Sequence, residues 1–337
     1  MDKHETLVKV CVDYMNNPTQ IQHFSEGKDA DSKIRGAFFE IMGTEKPTMK
    51  DVRRHKVAIF EILEEVLTET YLNGVNEDEF FTQFAETKNI AKGDKNEFYV
   101  KDSAALVVSE HSGNNWAIHR QKIEGGVKFD VKTKAHAIAV YGDFFLFVTG
   151  RLSFGELITA AGKAIQDKVY EGVALSFGNA AASLPTNLKA TGTYDETELI
   201  ELYSHVEAAS GSRPYVVGTR AALAKITAGG DVQYFSDSMK NEINNTGRIG
   251  IWKGMTLITL PTVHKSNTFD FAYDDKQLLV LPSNNIKPVK LVFEGDSLMK
   301  ETSNNTDNID MSFDYSFIVE FGINVVFDGV FGAYTLD

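Results

Sequence analysis

The sequence predicts an α+β protein in which a long helix and a long strand lie side by side, with an α/β section inserted between them along the chain. The strand is indicated from Ser312 to Asp328, where every odd position from 313 to 327 is apolar. The helix is indicated from Arg151 to Gly178, where apolar residues recur at three- and four-residue steps. At about 1.5 Å per helical residue and about 3.3 Å per strand residue, both elements are roughly 40 to 50 Å long. We therefore expect them to form a spine.

Residues 1–50 are predicted to form an extended N-terminal arm, because prolines and glycines interrupt any regular pattern. The arm carries several large apolar side chains, among them Phe38 and Phe39. A disordered tail is poorer in such residues. We therefore expect this arm to lie on another protein surface.

Residues 51–96 are predicted to be a helical segment. A helix is expected from Asp51 to about Leu72, with Thr48 as its cap. Its buried stripe is expected to be Ile59, Ile62, Leu63, Val66 and Leu67. Residues 77–95 are expected to form a second short helix and a loop.

Residues 97–147 are predicted to form an extended β-hairpin arm. Its strands are Trp116–Ile123 and Val127–Tyr141, and Glu124, Gly125 and Gly126 form the turn. This pairing places Lys122 opposite Phe129. Because the ribbon has few apolar side chains and an isolated hairpin is marginal in water, it packs on its own domain or reaches over a neighbouring molecule. The candidate contact residues between subunits are Trp116, Ile118, Gly125, Gly126, Val127, Phe129, Phe38 and Phe39.

The rest of the chain supplies the spine and the inserted section. Residues 148–194 contain the spine helix, with Ser153 as its cap and Gly178 as its stop. Residues 195–285 alternate helices and buried strands and are expected to be a domain of their own. Residues 286–337 are expected to return as strands of the spine region.

Composition and charge exclude several classes of protein. The net charge is −13, which disfavours a general nucleic-acid binding surface because phosphate binding needs clustered Lys and Arg. A single cysteine, Cys11, cannot form an internal disulfide. The first residues are too charged for a signal peptide, and no apolar run is long enough to span a membrane.

No catalytic, cofactor or metal site is predicted. Ser153 lacks the preceding glycine of a nucleophile elbow, and Gly162-Lys163-Ala164 lacks the residues of a phosphate loop. The eight histidines are scattered along the chain without metal-ligand spacing. The acidic pairs near Asp29 and Asp307 are better explained as solvated loops.

The order of these elements resembles that of a tailed-bacteriophage major capsid protein with the Hong Kong 97-type fold. That order is an N-terminal arm, an extended hairpin arm called the E-loop, a long spine helix, an inserted axial α/β domain and a final long strand. Three stretches of residues 195–285 add to the resemblance, namely ProTyrValValGlyThr at 214–219, IleTrpLysGlyMetThrLeuIleThrLeuPro at 251–261 and LeuLeuValLeuPro at 278–282.

The resemblance implies a structural protein that self-assembles into hexamers and pentamers of an icosahedral virus shell. Such a shell would enclose double-stranded DNA without sequence-specific binding. The implied partners are other copies of the chain, a separate scaffolding protein and a portal, with no membrane. The implied location is the virion capsid, assembled in the host cytoplasm.

Two alternatives come from other classes. An encapsulin-like shell of a cellular nanocompartment resembles the same fold, but the long N-terminal arm argues against it. An enzyme built on residues 195–285 would require polar residues that converge on a pocket, and the sequence identifies none.

Overall fold

In the computed structural model, the residues described are 8–9, 11–12, 30–77, 79–100, 126–142, 154–229, 236–247, 249–266, 268–283, 287–301, 313–326 and 331–337. The helices are α1 (Ala30–Met42), α2 (Met49–Glu77), α3 (Glu79–Phe84), α4 (Phe154–Ala182), α5 (Glu196–Ser210), α6 (Arg220–Gly229) and α7 (Asp237–Thr246). The strands are β1 (Ala85–Ile90), β2 (Glu97–Val100), β3 (Val127–Asp130), β4 (Lys134–Gly142), β5 (Lys189–Gly192), β6 (Tyr215–Gly218), β7 (Ile251–Trp252), β8 (Met255–Thr259), β9 (Gln277–Leu281), β10 (Val289–Glu294), β11 (Leu298–Glu301), β12 (Phe313–Val325) and β13 (Gly332–Leu336).

A five-stranded sheet is built around the long strand β12. Its order is β1-β10-β12-β11, and β4 pairs with the other side of β12. The β1–β10 pair is parallel, whereas β10, β11 and β4 run antiparallel to their neighbours on β12. This sheet carries the surfaces described below.

The spine helix α4 packs against β12, as the sequence predicts, and it also packs against α2. The alternation of β12 buries Phe317, Val319 and Phe321 in the main core. Close approach depends on small residues, because a side chain at Gly172 would place Cβ 2.6 Å from Cδ1 of Ile323. The predicted stripe of α2 is also confirmed, since all five of its members are buried.

A second sheet of six strands has the order β5-β13-β9-β6-β8-β7. Its central strands β6, β8 and β9 are apolar on both faces, so neighbouring residues point into different clusters. Val216 packs with α5 and α6, whereas Val217 packs with the main core. The sheet is therefore buried on both sides, which explains its nearly continuous apolar runs.

The predicted boundaries of the inserted domain, 195–285, omit two strands of this sheet. Strand β5 precedes the predicted domain, and β13 lies within the predicted return segment 286–337. Strand β13 pairs with both β5 and β9, and Tyr334 is fully buried. Such long-range pairing leaves no local pattern in a five-residue segment, so the sequence could not reveal it.

The predicted extended arm, residues 1–50, is wrong for its second half, which forms helix α1. Ile34, Phe38 and Met42 follow each other at four-residue steps and are all buried in the core. An internal glycine, Gly36, obscures this spacing in the sequence. The first half lies mostly outside the described residues.

Two further boundaries differ from the prediction. Helix α4 continues through Gly178 to Ala182, because the core contacts of Phe177 and Ala181 extend its buried face past the glycine. The predicted loop near residue 90 is strand β1, a polar segment held by its parallel pairing with β10.

Candidate assembly surfaces

Two paired strands lie at the base of the predicted hairpin arm, and they are called the arm base below. Strands β2 and β3 are antiparallel, with Val100 opposite Val127 and Phe98 opposite Phe129. The predicted pairing of Phe129 with Lys122 is therefore not observed, and Lys122 lies outside the described part of the chain. Strand β4, predicted as a continuation of the arm, instead pairs with β12 in the central sheet.

A small apolar cluster holds this base against the sheet. Phe98, Val131 and Val292 are all buried, and Ile90 packs beside them. The rings of Phe98 and Phe129 are stacked, with centroids 5.8 Å apart. Val292 belongs to β10, so the arm base is fixed on the face of the central sheet.

Charged groups surround the same cluster. Lys290, only 3% exposed, places Nζ 2.5 Å from Oε2 of Glu86. A buried lysine requires such a partner, because an unpaired charge away from water is costly. Nζ of Lys88 lies 3.9 Å from the centroid of the Phe98 ring and donates to the carbonyl oxygen of Glu97. These contacts join β1 and β10 of the sheet to β2 of the arm base.

Hydrogen bonds fix the point where the chain returns from the arm to the sheet. The hydroxyl of Thr133 donates to Oε2 of Glu294, and the Gly93 amide donates to Oε1 at 3.1 Å. Both bonds favour the charged carboxylate, and they lower the pKa of Glu294. Asn96 donates through Nδ2 to the carbonyl of Val131.

Gly322 of β12 lies directly beneath this return. A Cβ at this position would lie 2.5 Å from the carbonyl oxygen of Lys132 and 3.0 Å from Cγ1 of Val131. The backbone of the arm base therefore approaches the sheet more closely than any side chain would allow.

The predicted contact residues are distributed between the arm base and the core. Trp116, Ile118 and Gly125 lie outside the described residues. Gly126 has a φ of 71°, a conformation that glycine adopts without strain, and Val127 begins β3. Phe129 is partly buried against Phe98.

Phe38 and Phe39, by contrast, contact their own chain. Phe38 is 1% exposed, and Phe39 packs against the same core. The prediction that Phe38 faces another subunit is wrong, because α1 buries its side chain. The residues that hold the arm base, Phe98, Val131 and Lys290, were not predicted, although the aromatic and β-branched residues of Glu97–Val100 favour a strand.

A depression of about 500 Å³ lies beside the arm base, where β1 and β10 end and β11 begins. Its apolar wall is formed by α2, the end of β1 and the turn between β10 and β11. The wall residues are Tyr71, Leu72, Ile90, Phe293, Leu298 and Ile318. At its rim, Nζ of Lys92 lies 2.6 Å from Oε1 of Glu320, and this pairing raises the pKa of Lys92.

Within the described residues, no group of His, Cys, Asp and Glu side chains is arranged to hold a metal ion. In the same part of the chain, none of the helices has the length and apolar character needed to cross a membrane.

Comparison with known proteins identifies a family and structures that are similar to most of the chain. The profile of a family described as "SPbeta prophage-derived putative capsid protein YonB" matches residues 8–335. No curated protein matches the sequence. The mature capsid of bacteriophage PhiM1 is similar in structure, with a TM-score of 0.50 and 12% identity over 77% of this chain and 87% of that one. A chain of Microbacterium phage Oxtober96 has a TM-score of 0.50 and 15% identity over 77% of this chain and 91% of that one.

Proposed function

Since this chain belongs to the YonB family of prophage-derived capsid proteins, we propose that its copies form hexamers and pentamers that close an icosahedral shell around double-stranded DNA. The chain is a structural protein of the virion capsid and not an enzyme. The family match also favours a phage shell over a cellular nanocompartment.

One observation carries the proposal for the arm. Strand β2 ends at Val100 and β3 begins at Val127, directly opposite, so residues 101–126 are inserted between two paired positions. The base of this insertion is fixed by an apolar cluster, ion pairs and a buried lysine. A segment that contributed only to its own core would not need such an anchorage, whereas a strap that pulls on a neighbouring subunit would.

The remaining partners belong to the same proposal. A closed shell that is filled with DNA needs an entry, which a portal at one vertex would supply, and a scaffolding protein would set its size. Assembly takes place in the host cytoplasm. The net charge of −13 is consistent with DNA that is enclosed without being tightly bound.

Replacing residues 101–126 with Asn-Gly tests the strap. Asn-Gly favours the two-residue turn that would join Val100 to Val127, so the arm base remains intact. We expect a soluble subunit that unfolds cooperatively, measured by circular dichroism, but forms no closed particles in electron microscopy. A wider deletion of residues 112–136 would be uninformative, because it removes β3 and part of β4.

A Gly/Ser segment of equal length in place of residues 101–126 is the matched control for chain length. We expect it to fold and to fail in assembly as well, since it keeps the length and removes the side chains. Particles of normal size from the Asn-Gly variant would show that the arm is not a strap between subunits.

A further inference from the structure

A short hairpin between β8 and β9 carries the most exposed large apolar side chain among those described. Phe269 is 93% exposed, and Phe271 on the same hairpin is 44% exposed. Burial of large aromatic side chains is strongly favourable in water. An exposed pair of such side chains is therefore a candidate contact surface. The described part of the chain leaves Phe269 exposed, so this side chain is available for contact with another molecule.

The hairpin is held rigidly. His264 forms a β-bridge with Phe271, and the amides of Ala272 and Lys265 donate to the carbonyls of Val263 and Asp270 at 2.8 Å each. The His264 ring stacks on Phe271, with centroids 5.2 Å apart, and lies 6.0 Å from Phe269. Phe269 is thus presented in a fixed place, which reduces the entropy cost of a contact.

Both the roots and the tip of the hairpin are tied to the rest of the protein. Val263 and Tyr273, which flank it, are buried in the main core. The hydroxyl of Ser266 donates to Oε2 of Glu171 on the spine helix at 3.0 Å, and Glu171 also accepts from Lys168 at 2.8 Å. The hydrogen bond of Ser266 therefore connects the hairpin directly to α4.

The depression beside the arm base has the size and lining to receive an aromatic ring. Tyr71 and Phe293 form part of its wall with ring centroids 5.2 Å apart, and Leu298 offers an apolar side chain that is 54% exposed. Pockets of several hundred Å³ with mostly apolar walls are typical of binding sites. Knob and depression occur on one chain at different places, which is the arrangement that a head-to-tail contact between identical subunits requires.

We propose that Phe269 of one copy inserts into the depression beside Leu298 of a second copy in the shell. This inference rests on the proposed function, because it requires many copies to meet in closed rings.

Two assays test it. The first compares Phe269→Ser with the conservative Phe269→Leu. We expect Phe269→Ser to fold normally but to need at least about tenfold more protein to assemble, since each contact loses a buried aromatic side chain, and we expect Phe269→Leu to stay close to the wild type.

The second assay mixes Phe269→Cys and Leu298→Cys proteins, assembles them and adds a short bismaleimide. Cys11 is fully buried, and burial raises the pKa of its thiol to about 12, so it supplies no competing thiolate. We expect a crosslinked dimer in assembled mixtures and none in dilute unassembled ones. This readout also decides the matter if Phe269→Ser fails to fold.

The outcomes separate the two proposals. Normal assembly of Phe269→Ser, or assembled particles without the 269–298 crosslink, would overturn the knob-and-depression contact while leaving the shell function intact. A wild-type protein that forms no particles at any concentration, either alone or together with its scaffolding protein, would overturn the shell function, and this contact with it.

Discussion

At the scale of single residues, the arm base relies on Gly322 and Glu294. Gly322 admits the backbone of Lys132 at a distance that leaves no room for a methyl group. Glu294 accepts hydrogen bonds from both Thr133 and Gly93, so it joins the returning chain to the loop after β1. Both residues therefore help to fix where the chain returns from β3 to the central sheet.

We expect Gly322→Ala to lower the free energy of unfolding by about 1–3 kcal/mol, the usual cost of overpacking. The obstructing atom is a backbone oxygen, which cannot rotate away as a side chain would. Gly178→Ala on helix α4 is the matched control, because open space surrounds it. It should raise stability by about 0.5–1 kcal/mol through helix propensity. Urea unfolding measures both, and an unchanged Gly322→Ala protein would contradict the close approach.

The pH dependence of Glu294 follows from its lowered pKa. Its contribution to stability is fully present above the ordinary glutamate pKa of about 4.3 and is lost as the pH falls through the lower folded-state value. We therefore expect Glu294→Gln and Thr133→Val to melt at lower temperatures than the wild type at pH 7. The difference should shrink as the pH falls below about 4. A difference that grows toward acid pH would have the wrong sign for this carboxylate.

At the scale of elements, predictability depends on whether a segment's environment repeats along the chain. Strand β12 and helix α4 were predictable because the residues that face the core recur at a regular spacing, every second residue in β12 and every third or fourth residue in α4. Strand β1 was not, since its sequence AlaGluThrLysAsnIle is polar and only its pairing with β10 makes it a strand. The hairpin arm at residues 97–147 stays a prediction, and the contacts of β2 with the central sheet were not predicted, because Val292 and Lys290 lie far from β2 in sequence.

Strand β13 is expected to be essential for the six-stranded sheet. Tyr334 is fully buried, donates to the carbonyl of Thr193 at 2.9 Å and accepts from the amide of Asp195 at 2.8 Å. We expect Tyr334→Ala to cost about 3–5 kcal/mol, as large aromatic truncations do, and Tyr334→Phe only about 1 kcal/mol. Thermal unfolding of both variants checks this. Equal small losses would mean that β13 is peripheral to the sheet.

At the scale of the whole molecule, the net charge of −13 makes copies of the chain repel each other when they assemble. Apolar contacts such as the proposed Phe269 knob must outweigh this repulsion. Salt screens this repulsion, so we expect it to promote assembly while the folding of each subunit stays nearly unchanged.

We expect assembly to begin at lower protein concentration as salt is raised from about 0.1 M to about 1 M, because the Debye length falls from about 10 Å to about 3 Å. Light scattering at fixed pH measures the threshold, and circular dichroism at each salt concentration is the control for folding. A threshold that rises with salt would show that attractive ion pairs, rather than apolar contacts, hold the shell.

The position of β13 in the six-stranded sheet has a consequence for synthesis on the ribosome. Between Leu281, which ends β9, and Leu336 the ribosome needs several seconds at about 5–20 residues per second. Throughout that time, the edge of β9 that will pair with β13 is open. We therefore expect nascent chains stalled before Gly332 to remain sensitive to protease and chains released after Leu336 to become resistant. A shell built from such subunits would exclude unfinished copies without a separate checkpoint.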